Sequence, residues 1–330
     1  MANIKQYSKA LYYYTKAALI YRNLRRYLKK DFAKDLQFPD ELKRNYFYNS
    51  PFYNRTKQYM HANHFFGELL CLLRAQPISA MERMRFANLS SCAPLFDDFF
   101  EKENDLSHIL QLLHYPMIES AENDEEKLSV IFLNNIIESM SDKQKFMDAA
   151  QQLFQAQKES KKQTDSNLSI SELLNISKRK GGYSGLMYAH LLDKPKDELF
   201  FEMAYHLGSL GQLMDDIFDI YDDAKEGLRT FANQSQNTSE ISLIIQEQIK
   251  LIHTLLGSMD EKLFTKADFS AVLAIFVSTI ELAIHHYKSI EQDLGISPNN
   301  CLQSERKIWI VDMENPINIL RLFNRSAHKL

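Results

Sequence analysis

The chain has 330 residues, 45% of them hydrophobic and 25% charged, which is the balance of an ordinary globular protein. Its net charge of −4 at pH 7 argues against nucleic acid as a general partner. Nine Gly and eight Pro are too few for the turns of a many-stranded sheet, so the composition favours long helices.

Helical periodicity runs through almost the whole sequence and predicts one all-α domain over residues 1–330. The first predicted helix, 4–30, is basic and tyrosine-rich. A solvated basic face over a core stripe is the favoured interpretation, and a membrane-surface role is the alternative. The stretch KESKKQTDSN predicts a long internal loop near 158–168, and the Ser169–Glu172 pair after it is typical of a helix start. The further predicted helices cover 54–75, 79–102, 126–157, 170–190, 196–224, 238–258, 266–292 and 302–326.

The cysteines argue for a reducing environment. Cys71, Cys92 and Cys301 lie far apart, and their spacing supports neither a disulfide framework nor a CxxC metal site. The N-terminal residues lack the apolar core of a signal peptide, and no stretch approaches the roughly 20 apolar residues of a membrane span. We therefore expect a cytoplasmic protein with no integral membrane segment.

A first group of acidic side chains lies in the sequence DDFFE. Asp97 and Glu101 are four residues apart and share a helix face, with Asp98 one step round. Such carboxylates repel one another unless a cation is present, although the pattern alone is equally typical of an exposed acidic face. Ala93, one turn earlier, and Phe96 are predicted to line a pocket beneath these acids.

A second acidic stretch, residues 211–223, reads GQLMDDIFDIYDD. Asp215, Asp219 and Asp223 recur at four-residue spacing and form a stripe on one helix face. Surface helices usually place a base near each acid, but this stretch contains no Lys or Arg. Oxygen ligands select hard divalent cations, and Mg²⁺ sites commonly combine carboxylates with substrate phosphates. The stretch predicts a Mg²⁺–diphosphate site, and a helix end oversupplied with acids is the alternative.

Two glycines precede the second acidic stripe on the same predicted helix. Gly208 and Gly211 each cost about 1 kcal/mol relative to alanine within a helix, so some structural need should offset them. Close packing of two helices is one interpretation. An open pocket beneath Asp215 is the other, and under it both glycines line that pocket.

The two motifs, in an all-helical chain of this length, resemble those of the class I isoprenoid synthases. This superfamily comprises terpene cyclases, trans-prenyl diphosphate synthases and squalene/phytoene-type synthases. The first motif, DDFFE, is similar to their DDxxE, and the second fits in three registers. Asp215-Asp216-x-x-Asp219 resembles the prenyl diphosphate synthase motif, and Asp219-x-x-x-Asp223 resembles the squalene/phytoene synthase motif. Residues 215, 219 and 223 together have the ligand spacing of the terpene-cyclase triad. The resemblance covers roughly residues 85–230.

The resemblance implies a helical bundle with a central active-site cavity. It also implies Mg²⁺, roughly three ions, held through the substrate diphosphate. A basic cluster, Lys178-Arg179-Lys180 followed by two glycines, lies where related enzymes contact the diphosphate, and Gln212 stands where prenyl synthases often carry a Gln. The metal ligands it implies are Asp97, Asp98, Glu101, Asp215, Asp219 and Asp223. The residues it implies for catalysis are Asp97, Asp98 and Asp219.

The implied reaction is that of a terpene synthase, a carbon–oxygen lyase that ionises farnesyl or a longer prenyl diphosphate. Chain-elongating relatives carry extra basic motifs for isopentenyl diphosphate, and these are absent here. Squalene/phytoene-like head-to-head coupling, or another prenyl transfer, is the first alternative, and a non-catalytic member or subunit of the fold is the second. A di-iron bundle is disfavoured because the Glu-x-x-His pairs it needs are missing. A homodimer is consistent with the implied fold.

Overall fold

A computed structural model describes residues 3–32, 36, 42, 50–102, 105–193, 197–260 and 266–330. Every regular element in these ranges is a helix, so the prediction of an all-α chain is confirmed. Short 3₁₀ turns at Ile118–Ser120, Lys161–Thr164 and Pro298–Gln303 join some of the α-helices. The α-helices are α1 Ile4–Lys30, α2 Pro51–Leu73, α3 Ala80–Lys102, α4 Ser107–His114, α5 Asp124–Glu138, α6 Lys143–Ser160, α7 Ile170–His190, α8 Glu198–Phe218, α9 Ile220–Glu226, α10 Phe231–Gln234, α11 Thr238–Ser258, α12 Lys266–Leu294, α13 Arg306–Trp309 and α14 Pro316–Lys329.

The chain forms two compact units. The larger unit comprises residues 1–15, 156–185 and 197–330, and the smaller unit comprises 16–155 and 186–196. Helices α1, α6 and α7 contribute residues to both units. The second acidic motif belongs to the larger unit and the first to the smaller one. The prediction of a single domain stays a prediction.

The core of the larger unit is built around α8, which packs against α11 and α12. The helix begins where the Asp197 side chain accepts a hydrogen bond from the backbone N–H of Phe200. Its apolar positions recur at helical spacing and are fully buried at Leu210, Leu213 and Ile217, so one face is committed to the interior. The exposed aspartate of α8, in the second acidic motif, therefore lies on its other face.

The smaller unit packs α3 between α2 and α5. A buried ion pair joins α2 to the start of α3: Arg74 Nη1 lies 2.6 Å from Glu82 Oε1, with both side chains about 2% exposed. Burial alone would raise the pKa of Glu82, but hydrogen bonds from Arg74 and from the backbone N–H groups of Ser79 and Asp193 lower it to about 2. The charge is fully compensated, so the pair can stay buried.

Several predicted elements need correction. The helix predicted over 126–157 is divided into α5 and α6, and the one over 302–326 is divided into a 3₁₀ turn, α13 and α14. The short α4 was not predicted. The loop predicted near 158–168 is much shorter, because α6 runs to Ser160 and a 3₁₀ turn follows. The helix start at Ser169 is confirmed, since Ser169 and Glu172 exchange side-chain-to-backbone hydrogen bonds.

One described helix, α12, is long and apolar enough by length and composition to cross a membrane, with a mean hydropathy of 1.8 over its best 18-residue window. From the sequence we expect no stretch of this length and hydropathy, and α12 is one. Half of that window is buried inside the protein, and core helices of globular proteins meet the same criteria. The three cysteines are free and buried.

Candidate active site

The first acidic motif occupies the last two turns of α3, in the smaller unit. Asp97 and Asp98 are half-buried and Glu101 is exposed. The hydroxyl of Tyr59 on α2 donates a hydrogen bond to Asp97 Oδ2. Arg55, one turn earlier on α2, places Nη1 2.5 Å from Asp98 Oδ1. Both aspartates are therefore engaged by groups of the protein itself.

These contacts change the electrostatic argument for the motif. Arg55 also donates to the carbonyl of Pro94, and Lys102 Nζ lies 3.9 Å from Asp98 Oδ2. Burial and the neighbouring Asp97 carboxylate raise the pKa of the Tyr59 hydroxyl, so it stays a hydrogen-bond donor. The repulsion expected from the bare sequence is thus offset by two cations and a hydroxyl. A metal ion bound here would have to displace some of them.

The two pocket residues predicted beside this motif lie on α3. Ala93, one turn before Asp97, and Phe96 are both half-buried, and the Phe96 ring packs edge-on against Phe99 with centroids 5.7 Å apart. Pro94, inside the helix, has no N–H group for the normal bond to the Ser90 carbonyl. The role of Ala93 and Phe96 as pocket residues stays a prediction.

The second acidic motif spans the junction of α8 and α9 in the larger unit. The helix predicted over 196–224 is interrupted at Asp219, whose φ of −95° and ψ of 13° lie outside the helical range. The hydrogen bonds from Asp219 N to Asp215 O, 2.9 Å, and from Asp223 N to Asp219 O, 2.8 Å, still follow the helical spacing. The three aspartates therefore remain one turn apart. Gly227, with φ of 77°, ends α9 in the left-handed conformation that glycine tolerates.

Four carboxylates of this motif repel one another, and we call Asp215, Asp216, Asp219 and Asp223 the acidic cluster. Desolvation, followed by the charges of the other three, raises the pKa of Asp223 to about 8. Desolvation and the charges of Asp215 and Asp222 raise the pKa of Asp219 to about 6. Such shifts mean that the ionised forms of Asp219 and Asp223 are disfavoured unless a cation lies nearby.

Asp216 is the buried member of the acidic cluster, with 4% of its surface exposed. Ser177 Oγ on α7 donates to its Oδ2 at 2.5 Å, and Gln212 Nε2 lies 3.0 Å from Oδ1. Burial raises its pKa to about 6, although both hydrogen bonds act in the opposite direction. Gln212 Nε2 also lies 3.0 Å from Asp215 Oδ2. Gln212, predicted to bind diphosphate, thus orients two carboxylates of the cluster.

Asp222 stands outside the acidic cluster because it already has a counter-ion. Arg306, at the start of α13, places Nε 2.6 Å from Oδ1 and Nη2 2.6 Å from Oδ2. This two-pronged contact lowers the pKa of Asp222. Arg306 thus neutralises the acid that flanks the stripe in the sequence.

The three basic residues predicted to contact diphosphate differ in their surroundings. Arg179 forms an ion pair with Glu159, and its guanidinium lies 5.9 Å from the centre of the Tyr183 ring. Desolvation lowers the pKa of Lys178. Lys180 acts on the acidic cluster, since its charge lowers the pKa of Asp216. Of the three, Lys180 has the clearest electrostatic connection to the predicted site.

The two glycines of α8 have opposite roles. A Cβ on Gly208 would lie 2.2 Å from the carbonyl oxygen of Gly181 on α7, so the position is filled by close helix packing. This close contact favours the helix-packing interpretation of Gly208 over the pocket interpretation. A Cβ on Gly211 would meet no atom within 4 Å. Open space beside Gly211 agrees with the pocket interpretation at that position.

In neither predicted metal triad do ligand oxygens of all three side chains lie within 4.8 Å of one another. Among the residues that the structure describes, one group of three carboxylate or imidazole ligands lies within 4.8 Å: His108, Glu122 and Glu126. Sequence reasoning missed this group, although the Asn123-x-x-Glu126 spacing is a helix-start signal. Glu126 accepts hydrogen bonds from His108 Nε2, from the Glu122 backbone N–H and from Asn123 Nδ2, so the group serves as the start of α5.

A cavity of about 240 Å³ lies just beyond the second motif in the larger unit. The guanidinium of Arg229 is held at its wall by Gln234 Oε1 and by the carbonyls of Asp165 and Leu168. Sequence reasoning did not identify this cavity, because its two walls come from segments about seventy residues apart. Its lining residues are Ala224, Gly227, Leu228, Arg229, Asn233, Gln234, Asn299, Asn300, Cys301, Leu302 and Gln303.

Comparison with known proteins adds no further constraint on the site. No protein-family model matches this chain, and no curated protein matches it. The resemblance to class I isoprenoid synthases therefore rests on the residues of the two motifs. The oxygen-only donors of the acidic cluster, with the raised pKa values of Asp219 and Asp223, fit a hard divalent cation such as Mg²⁺.

Proposed function

We propose that this chain is a Mg²⁺-dependent class I isoprenoid synthase of the terpene synthase kind. It would ionise farnesyl or a longer prenyl diphosphate, release diphosphate and yield a terpene hydrocarbon or alcohol. The observation that carries the proposal is the acidic cluster: its carboxylates repel one another, and desolvation together with that repulsion raises the pKa of Asp223 to about 8. Such a cluster needs a cation more than a salt-bridged acidic helix does.

The residues of the larger unit have distinct roles in this proposal. Asp215, Asp219 and Asp223 would hold Mg²⁺, which neutralises the charge that develops on the leaving diphosphate. Gln212 fixes the carboxylates of Asp215 and Asp216 through its side-chain amide. Lys180 would supply a further positive charge for the diphosphate. The apolar core residues of α8 exclude water from one side of the cluster.

A second candidate function is a non-catalytic member of the same fold. It is favoured by the first motif, where Arg55 and Tyr59 occupy the carboxylates of Asp98 and Asp97. A chain in which those contacts are permanent would bind metal and diphosphate only through the acidic cluster. Binding and turnover therefore have to be measured separately.

Binding is tested by thermal unfolding with Mg²⁺, with inorganic diphosphate and with both. A shared site predicts that the two together raise the melting temperature by more than the sum of their separate shifts, because each completes the other's ligand set. Asp219→Asn should remove this excess. The matched control is Asp222→Asn, which changes an aspartate of the same motif that Arg306 already neutralises, and it should keep the excess. Strictly additive shifts would contradict a shared site.

Turnover is tested by incubation with Mg²⁺ and geranyl, farnesyl or geranylgeranyl diphosphate singly, with mass spectrometry of the organic extract and assay of released diphosphate. A new hydrocarbon or alcohol from one substrate is the expected result. A product with doubled carbon number would favour head-to-head coupling. Cooperative binding of Mg²⁺ and diphosphate without product from any substrate would favour the non-catalytic alternative.

A further inference from the structure

The N-terminal turns of α1 and the C-terminal helix α14 form one surface of the larger unit. The rings of Tyr7 and Tyr14 pack on Phe323, with centroids 5.9 and 5.5 Å away. The Tyr14 hydroxyl lies 3.1 Å from Ser326 Oγ, and Lys9 Nζ donates to the carbonyl oxygen of Leu330. These contacts hold the two helices together over the two turns of α1 from Tyr7 to Tyr14.

Both helices carry large, exposed apolar side chains near these contacts. Leu11 lies one turn from both Tyr7 and Tyr14, and it is 61% exposed. Leu320, one turn before Phe323, is 60% exposed. Several large exposed apolar side chains on two packed helices are typical of an interaction site. We define the terminal patch as Ile4, Leu11, Tyr12, Ile317, Ile319 and Leu320, all exposed.

The two segments that carry the terminal patch contribute charge of a single sign, and one acid of α12, Asp268, accepts a hydrogen bond from Tyr13 beside them. Residues 3–15 and 315–330 contain no Asp or Glu. The exposed side chains of Lys5 and Arg321 stand among the apolar ones, and Lys329 is joined to Glu281 of α12 at 2.8 Å. Exposed aliphatic side chains, a tyrosine and basic groups are the composition of helices that lie on anionic membranes.

We propose that the terminal patch binds the surface of an anionic lipid bilayer, with its apolar side chains inserted among the acyl chains and its basic side chains at the headgroups. Charge complementarity selects this occupant over a second copy of the chain, since two copies would bring like-charged patches together. The proposal is independent of the enzymatic activity and needs no contribution from the acidic cluster.

Vesicle flotation tests the proposal with the full chain. Vesicles of phosphatidylcholine alone are compared with vesicles containing about 30% phosphatidylglycerol, at low and at high salt. We expect binding to the anionic vesicles at low salt and at least a ~10-fold loss when the salt concentration is raised or the anionic lipid is omitted. The double variant Ile319→Ser, Leu320→Ser should lose about 10-fold or more in affinity, because two apolar side chains no longer insert.

The matched control is Leu243→Ser with Leu294→Ser, which removes two leucines of similar exposure elsewhere in the larger unit. Its binding should equal that of the unmodified chain, and circular dichroism establishes that both variants are folded. Absence of binding to anionic vesicles, or an equal loss in the control, would overturn the proposal. So would light scattering that shows a dimer abolished by the patch variant without a change in vesicle binding, since the patch would then join two copies.

Discussion

The crossing of α7 and α8 can be tested by one added methyl group. In Gly208→Ala the new Cβ would lie 2.2 Å from the Gly181 carbonyl oxygen and 2.9 Å from Gly185 Cα, distances that real Cβ atoms essentially never show. The atoms in the way are backbone, so the two helices have to move apart. Overpacking costs about 1–3 kcal/mol, and alanine returns up to about 1 kcal/mol of helix propensity. We expect a net loss of about 1 kcal/mol in the free energy of unfolding.

Gly211→Ala is the matched control, three residues further along the same helix. Its Cβ meets no atom within 4 Å, so the same substitution gains helix propensity without any clash. We expect a gain of up to about 1 kcal/mol. Urea unfolding followed by circular dichroism at the helix band measures both variants against the unmodified protein. If Gly208→Ala were as stable as the unmodified chain, or if the two variants shifted alike, the close crossing would be refuted.

Three further predictions concern charged groups. Arg55→Ala releases Asp98 from its cation, so Mg²⁺ affinity at the first motif should rise in isothermal titration; an unchanged affinity would show that Arg55 does not compete with metal. Because the pKa of Asp223 is raised to about 8, the folded chain keeps a proton that the unfolded chain loses near pH ~4, so metal-free stability should fall as the pH rises between those values. Asp223→Asn should lessen that fall by roughly 1 kcal/mol in urea unfolding at successive pH values, and an unaltered slope would count against it. Arg74→Ala strands the buried Glu82 carboxylate and should cost about 3–5 kcal/mol; a loss under about 1 kcal/mol would contradict the pair.

Helix positions followed from the sequence wherever local signals agreed. The predicted ranges 4–30, 170–190 and 238–258 coincide with α1, α7 and α11. At the start of α11 the Asn237 side chain accepts a hydrogen bond from the backbone N–H of Glu240. This N-cap lies where the helical periodicity begins, so both local signals indicate the same helix start. The division of 126–157 was not predictable in this way. Arg85 Nη2 donates to the Ser139 carbonyl at 2.5 Å, so a side chain some fifty residues away satisfies the end of α5.

The break within the second motif has a similar origin. Nothing in the spacing of its aspartates indicates an interruption, because acids at four-residue intervals suit a continuous helix. The Tyr287 hydroxyl of α12 donates to the Ile217 carbonyl at 2.8 Å, and Cys301 Sγ lies 3.7 Å from the Ile220 carbonyl. These contacts satisfy carbonyl groups on both sides of Asp219 from outside the helix. The break therefore depends on residues that fold against it from about seventy residues further along.

The two acidic motifs show that a pattern of acids indicates a metal site only once the neighbouring charges in the fold are known. In the sequence both look uncompensated, and the first is nearly as dense as the second. In the fold, Arg55 and Tyr59, about forty residues upstream, engage the aspartates of the first motif. The acidic cluster instead keeps raised pKa values at Asp219 and Asp223, with only Asp222 beside it neutralised. We therefore expect a divalent cation to bind more tightly at the second motif than at the first. Isothermal titration with Mg²⁺ should show that Asp219→Asn weakens binding more than Asp98→Asn does.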